Sequence, residues 1–392
     1  MVYKIHSWIF ILLLSNLSLA IAKPAYVKSL FDSKIERILN QANLPGLSIV
    51  VVNDKKILYQ SSFGYSNKEA QIPYTNQTNQ IIGSVSKTFL AVALMKAVEQ
   101  GLIDLNKDIN HYLPFKVIHP LFPNKIITPL HLATHTSGLI DTDVYFRNYI
   151  FEDAQRITAD RFPNKYQAYM KYIPINKNIS QNELLENTLS PQGKWFNPGY
   201  FDKYEPGKHF NYSNHGANLT ALIIENMSGM PYEEYVLKYI FKPLKMNNTS
   251  WDTIESKNLA RLYFNTTLIV PKYSLIAKGD GAIISNINDM GLFLIEMIKG
   301  LKGKGTLLSK KSYKQIFIIN QDTDSKGLFW FNNSNSVYHH NGIEPGASTK
   351  LYIFPSAKIG VYLATNINAD SSEDIAIKLN QILLKILNKF VY

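Results

Sequence analysis

Ser84 and Lys87 stand three residues apart in the stretch Gly83-Ser84-Val85-Ser86-Lys87, at the head of a largely apolar run. On a helix that spacing puts a hydroxyl and an amine one turn apart on one face, within reach of each other. Such a pair is equipped for acyl transfer: the hydroxyl attacks a carbonyl carbon and the amine takes its proton. The positive end of the helix dipole would steady an oxyanion there and favour an amine free to accept that proton. Ser-x-x-Lys is weak evidence by itself, since about two or three copies are expected by chance in a chain of this composition. Here it occurs once, with a glycine before it and a run from Thr88 to Gly101 after it that reads as an amphipathic helix.

A serine hydrolase of this kind also needs a group that protonates the leaving atom. Tyr212-Ser213-Asn214 offers a phenol and, two residues on, an amide able to bind a substrate carbonyl or the lysine. It follows Pro206-Gly207-Lys208-His209-Phe210, a turn able to present the pair. A competing copy, Tyr65-Ser66-Asn67, follows a predicted strand and reads as a hairpin turn, so the downstream copy is preferred. The third requirement is a strand edge that binds an extended acyl group and supplies an oxyanion-hole amide. His340-Asn341-Gly342 lies just before a C-terminal hairpin, and its glycine permits close backbone approach. The backbone N–H of Ile343 is expected to join that of Ser84 around the oxyanion.

Two hairpins must position these groups. One runs from Leu47 to Val52 and Ile57 to Gln60, the other from Ser348 to Phe354 and Ile359 to Ala364. The two are expected to form one antiparallel sheet. After the second, Ser371 and Ser372 can cap a helix with Ile375, Leu379, Ile382, Leu383, Ile386 and Phe390 at helical spacing. That helix reads as packing on the sheet, with an amphipathic membrane anchor as the alternative. Thr128-Pro129 starts a short helix, and Ser285 and Asp289 introduce another from about Met290 to Lys299. The fold class is therefore α+β: an antiparallel sheet flanked by helices, with an inserted, mostly helical domain. The expected division is an α/β domain from residues 23–85 and 275–392, and a helical domain from 86–274. The latter includes a long segment, 139–205, that reads either as a lid or wall that selects substrates or as padding of the helical domain.

Lys4, the apolar stretch from Trp8 to Leu14 and the triplet Ala20-Ile21-Ala22 form a signal-peptide pattern over residues 1–22, cleaved before Lys23. Export, to a periplasm or the medium, follows as an expectation, with no membrane-spanning helix in the mature chain. The 392 residues contain no cysteine, which excludes disulfides, thiolate catalysis and cysteine-held zinc. The net charge of +11 could favour peripheral association with an anionic envelope. The lysines are scattered rather than clustered with aromatics, so nucleic acid is not an expected partner. His131 and His135 have the spacing of a zinc pair but lack the glutamate a metalloprotease needs, and read as structural. The cluster from Gly300 to Thr306 lacks the order of a phosphate loop, and no Gly-x-Ser-x-Gly nucleophile elbow is present.

Taken in order, GSVSKTF at Gly83 to Phe89, LHLATHTSGL at Leu130 to Leu139, PGKHFNYSN at Pro206 to Asn214, IFKPLKM at Ile240 to Met246 and HNG at His340 to Gly342 resemble the serine β-lactamase and penicillin-binding family. The resemblance is to the class C β-lactamase and D-alanyl-D-alanine carboxypeptidase branch, and it covers essentially the whole mature chain. It implies a β-lactamase/transpeptidase-like fold, with Ser84 as acylated nucleophile, Lys87 as proton acceptor, Tyr212 as proton shuttle and Asn214 as substrate-positioning amide. It places His340 where many β-lactamases of the branch carry the lysine of a Lys-Thr-Gly triplet. An imidazole, mostly neutral at pH 7, attracts a substrate carboxylate more weakly than lysine does. The expected function is a D-alanyl-peptide carboxypeptidase, peptidase or esterase-like hydrolase that needs no metal or organic cofactor. A class C-like β-lactamase is the alternative, and a non-catalytic penicillin-binding or envelope-sensing module is the alternative of another kind. Expected substrates are D-alanyl peptides, small esters or amides, or β-lactams.

Overall fold

The structure, a computed structural model of the chain, describes residues 24–152, 178–251, 258–317, 327–332 and 337–392. The expected leader, 1–22, and part of the long segment, 153–177, lie outside the described residues.

A seven-stranded antiparallel sheet organises the chain, in the order β3-β2-β1-β11-β10-β9-β8. Near one end of the sequence are β1 (Gly46–Asn53), β2 (Ile57–Asn67) and β3 (Ile72–Pro73). The other end supplies β8 (Phe331–Asn332), β9 (Tyr338–Glu344), β10 (Ala347–Phe354) and β11 (Ile359–Thr365). The two hairpins therefore share one sheet, joined where β1 pairs with β11 from Leu47↔Thr365 to Asn53↔Ile359. The β1 sequence Ile-Val-Val-Val suits a strand buried on both faces, and side-chain alternation splits it between two cores. Leu47, Ile49 and Val51 face one side, and Val50 and Val52 the other.

On the first side lie α1 (Pro24–Gln41) and, after helices met below, the C-terminal helix Glu373–Phe390. Ile35, Ile38 and Leu39 meet Leu379, Ile382 and Ile386 there in one apolar layer. The C-terminal helix thus packs on the sheet. Its cap is Ser372, whose hydroxyl accepts from Ile375 N at 3.2 Å.

The second side carries α2 (Ser86–Glu99), α3 (Pro129–Ala133), α4 (Gln181–Leu189), α5 (Asn214–Ser228), α6 (Tyr232–Val236), α7 (Lys242–Leu244), α8 (Ile287–Leu301) and α9 (Lys310–Phe317), with the C-terminal helix completing the series as α10. Helix α2 differs from expectation: it is buried nearly all round, from Ser86 through Met95, rather than amphipathic. It runs between α5 and α8, with Phe89 stacked on Phe293 at 3.8 Å and edge-on to Phe241. A helix inside a larger core needs no polar face. The cap of α8 is Asn286, whose side chain accepts from Asn288 N and Asp289 N, rather than Ser285. Two short ladders tie this layer together: β4 (Gln80–Ile81) with β7 (Ile284–Ser285), and β5 (Tyr149–Phe151) with β6 (Tyr273–Leu275). Tyr65-Ser66-Asn67 is not a hairpin turn but the end of β2, which runs on beyond Gln60. Among the described residues no helix is long and apolar enough to cross a membrane.

Candidate active site

The serine stands on a tight turn laid against a strand edge. Gly83 to Val85 form a single 3-10 turn ahead of α2, so Ser84 precedes the α-helix proper. Gly83 has φ +57°, a left-handed conformation that favours glycine. A Cβ there would stand 3.0 Å from Ile343 N and 3.2 Å from Glu344 Cγ, so the turn rests directly on β9. From the other side, a Cβ on Gly342 would overlap the Ile82 carbonyl and the Thr349 hydroxyl and lie 3.1 Å from Ser84 N. The backbones of the turn and of β9 meet only because both positions lack side chains. The N–H groups expected to form an oxyanion hole, those of Ser84 and Ile343, belong to these two touching segments.

Lys87 is fully buried one turn beyond Ser84, whereas Ser84 is partly open. Its Nζ donates to Ser84 Oγ at 3.1 Å and to the backbone carbonyl of Asp280 at 2.5 Å. The carbonyl fixes the amine so that it points at the hydroxyl. Nζ also lies 5.1 Å from the centre of the Tyr212 ring. The Tyr212 hydroxyl is buried without a hydrogen-bond partner. Burial raises its pKa, opposed by Lys87 and by Ser84, so the phenol stays protonated with the amine and serine hydroxyl beside it.

Tyr212 is held from behind by His135, whose ring centre lies 4.5 Å from its own. Ser213 N donates to His135 Nδ1 at 3.2 Å, and Asn211 N donates to the His135 carbonyl at 2.7 Å. Burial holds the His135 imidazole well below its usual pKa, so it stays neutral and able to accept at Nδ1. The Tyr-x-Asn segment opens α5: Ser213 caps it, accepting from Gly216 N at 3.1 Å, and Asn214 is its first residue. Asp141 sits on this helix start, accepting from Asn214 N at 2.8 Å and His215 N at 3.1 Å. A carboxylate at a helix N-terminus satisfies orphan donors and complements the dipole.

Along β9, His340 is buried with Nδ1 2.7 Å from the Asn341 carbonyl, so Nδ1 carries the hydrogen. Burial, with Lys87 nearby, pushes its pKa down to about 3, and Nε2 is buried without a partner. The ring is a neutral imidazole and not a cation. Phe331 of β8 closes the wall, 6.2 Å from Tyr212 and 5.1 Å from His340 between ring centres.

Ser84, Lys87, Tyr212, His340 and Gly342 thus gather at one place, and Asn214 adjoins them. Tyr65, the competing phenol, is 41% exposed on the far edge of the sheet. His131 accepts from Thr128 N at the start of α3, a structural role. Asp141, Asp280, Glu344, Tyr145, Tyr149 and Phe331 carry no local sequence signal. The structure alone brings them to the site. Among the described residues no group of three or more acidic, histidine or cysteine side chains could hold a metal.

The family model for β-lactamase matches residues 31–384, and the chain belongs to that family of serine hydrolases. Protein flp of Staphylococcus aureus strain N315 is 24% identical over 348 residues, covering 86% of this chain and 63% of that relative. The chain thus spans less than two thirds of that relative's length. The octameric penicillin-binding protein homologue from Pyrococcus abyssi superimposes with a TM-score of 0.68 at 25% identity, covering 91% of this chain and 77% of that one. A class C β-lactamase gives the same TM-score at 19% identity, covering 94% and 98%, a likeness of fold. The expected β-lactamase/transpeptidase fold is the one observed.

Proposed function

We propose that this chain hydrolyses acyl substrates through an ester formed on Ser84. The Ser84 oxygen bonds to the substrate carbonyl carbon as its proton passes to Lys87. The tetrahedral intermediate collapses when Tyr212 protonates the leaving atom and is itself reprotonated from Lys87. Water then attacks the ester along the reverse relay, returning the hydrogen to Ser84 Oγ. The N–H groups of Ser84 and Ile343 would hold the oxyanion, with Asn214 and His340 beside the acyl chain. The observation that carries this reading is the 3.1 Å contact between Lys87 Nζ and Ser84 Oγ, with the amine fully buried and the serine reachable.

Among substrates, the reading favours peptidase- or esterase-like work over β-lactam hydrolysis. The neutral His340 supplies no positive charge for a substrate carboxylate, and Phe331 gives the cleft an aromatic wall. Small esters and uncharged amides suit such a site better than acids, with D-alanyl peptides between them. Two measurements test this. Ser84→Ala is expected to abolish labelling by a fluorophosphonate, and persistent labelling would remove Ser84 from the chemistry. In a panel of p-nitrophenyl esters, D-amino-acid amides, D-Ala-D-Ala peptides and nitrocefin, the uncharged acyl compounds are expected to turn over fastest. Nitrocefin leading the panel would restore the class C-like reading. Labelling without turnover of any compound would favour the binding or sensing module.

A further inference from the structure

Behind the nucleophile turn lie two buried carboxyl groups that the relay above does not use. Glu344, the last residue of β9 and two beyond Gly342, is 4% exposed, and Asp280 is 1% exposed. The Glu344 side chain is wedged between Gly83 and Gly281: its Cγ stands against the one, and its Oε1 fills the space a side chain on the other would need. Tyr149 of β5 donates to Glu344 Oε2 at 2.8 Å. Tyr145, on the turn before β5, donates to Asp280 Oδ2. The backbone carbonyl of Asp280 is the same atom that aims the Lys87 amine. Both tyrosines come from the start of the long segment 139–205, which therefore reaches under the site.

We propose that Asp280 and Glu344 are positioning residues for Lys87, a carboxyl pair that holds one proton between two separate groups when acylation is fast and suppresses acylation once that proton is lost. The inference rests on Ser84 and Lys87 acting as proposed above. With one proton on the pair, a single negative charge faces the lysine. With none, two negative charges lie behind the turn and draw the amine toward them, away from the Ser84 hydroxyl it must face. Burial first, and then the Asp280 charge, push the Glu344 pKa up to about 8, so the switch falls just above neutrality. Burial likewise raises Asp280, opposed by Lys87 and by the Tyr145 hydrogen bond.

Other titratable groups face this cluster from each neighbouring element. Helix α5 and the loop before it present His215 and Tyr212, and the segment after α3 presents Asp141. Strand β6 adds Tyr273, bonded to the Pro345 carbonyl, while His135 and His340 face Lys87. Burial keeps the three histidines neutral near pH 7 and raises the pKa of both Tyr145 and Tyr212, so the carboxyl pair is the part of the cluster that changes charge just above neutrality.

The test is the pH profile of fluorophosphonate labelling of Ser84 in the full chain. Wild type is expected to lose about tenfold or more in rate on the alkaline side, since misplacing a catalytic group by about 1 Å can cost about a hundredfold. The midpoint should fall near the Glu344 value of about 8. Glu344→Gln and Asp280→Asn should each abolish that fall, and Tyr149→Phe should move its midpoint up. A structural role alone would change the height of the profile and not its shape. Should a variant fail to fold, the wild-type infrared band of a protonated carboxyl must disappear with the same midpoint. A flat alkaline limb, an identical limb in Glu344→Gln, or no such band overturns the pair while leaving the Ser84 reading intact. Labelling that survives Ser84→Ala overturns both.

Discussion

The two faces of the central sheet are built to different rules. Under α1 and α10 the layer is apolar, and no buried side-chain polar atom of these two helices is left without a hydrogen bond among the described residues. Across the sheet, around Ser84, the Tyr212 hydroxyl, Nε2 of His135 and of His340, and both ring nitrogens of His215 are buried without partners. Leaving such a group unpaired costs about 1–3 kcal/mol, and folded proteins keep few of them. One face therefore stabilises the fold, and the other carries that cost around the proposed reacting centre. The contrast teaches where to expect loss of stability and where to expect loss of rate.

Three substitutions can break or sharpen it. Tyr212→Phe should slow labelling of Ser84 by about a hundred- to ten-thousandfold, the range for general acid–base groups. Because its hydroxyl is buried without a partner, Tm should hold or rise. A rate within threefold of wild type would remove the phenol from the relay. Leu379→Ala, at a fully buried position in the opposite layer, should cost about 2–5 kcal/mol in urea unfolding. The labelling rate per folded molecule should stay unchanged, and a parallel fall would show that the two faces are coupled. Ser372→Ala removes the α10 cap and should cost about 0.5–2 kcal/mol with no effect on rate. Any loss of rate there would again argue against the separation.

The parts of the site legible in the sequence are those whose geometry is local. Ser84 and Lys87 share one turn, Tyr212 precedes a helix start by two residues, and Gly342 lies just before a hairpin that the pattern marks out. The hairpins and α10 were legible for the same reason, since period and turn chemistry belong to short stretches. Their edges were less so: β2 runs on through Tyr65 to Asn67 because pairing with β1 and β3, rather than propensity, decides where it ends. The all-round burial of α2 depends on α5 and α8 arriving on either side. Asp141, Asp280 and Glu344 were silent, because a lone acid in a polar stretch reads as a solvated one until the fold buries it. The resemblance supplied the order of the motifs, while the carboxyl pair under the serine needed coordinates.

The join between β1 and β11 has a consequence for how the molecule comes into being. The turn bearing Ser84 leaves the ribosome long before β9, against which it rests, and the sheet cannot close until Thr365 has been made. Pairings this distant in sequence are slow to form, because chain closure must precede any gain from contact. A growing chain can thus display its serine without a backing strand, and the chemistry must await the strands from β9 to β11.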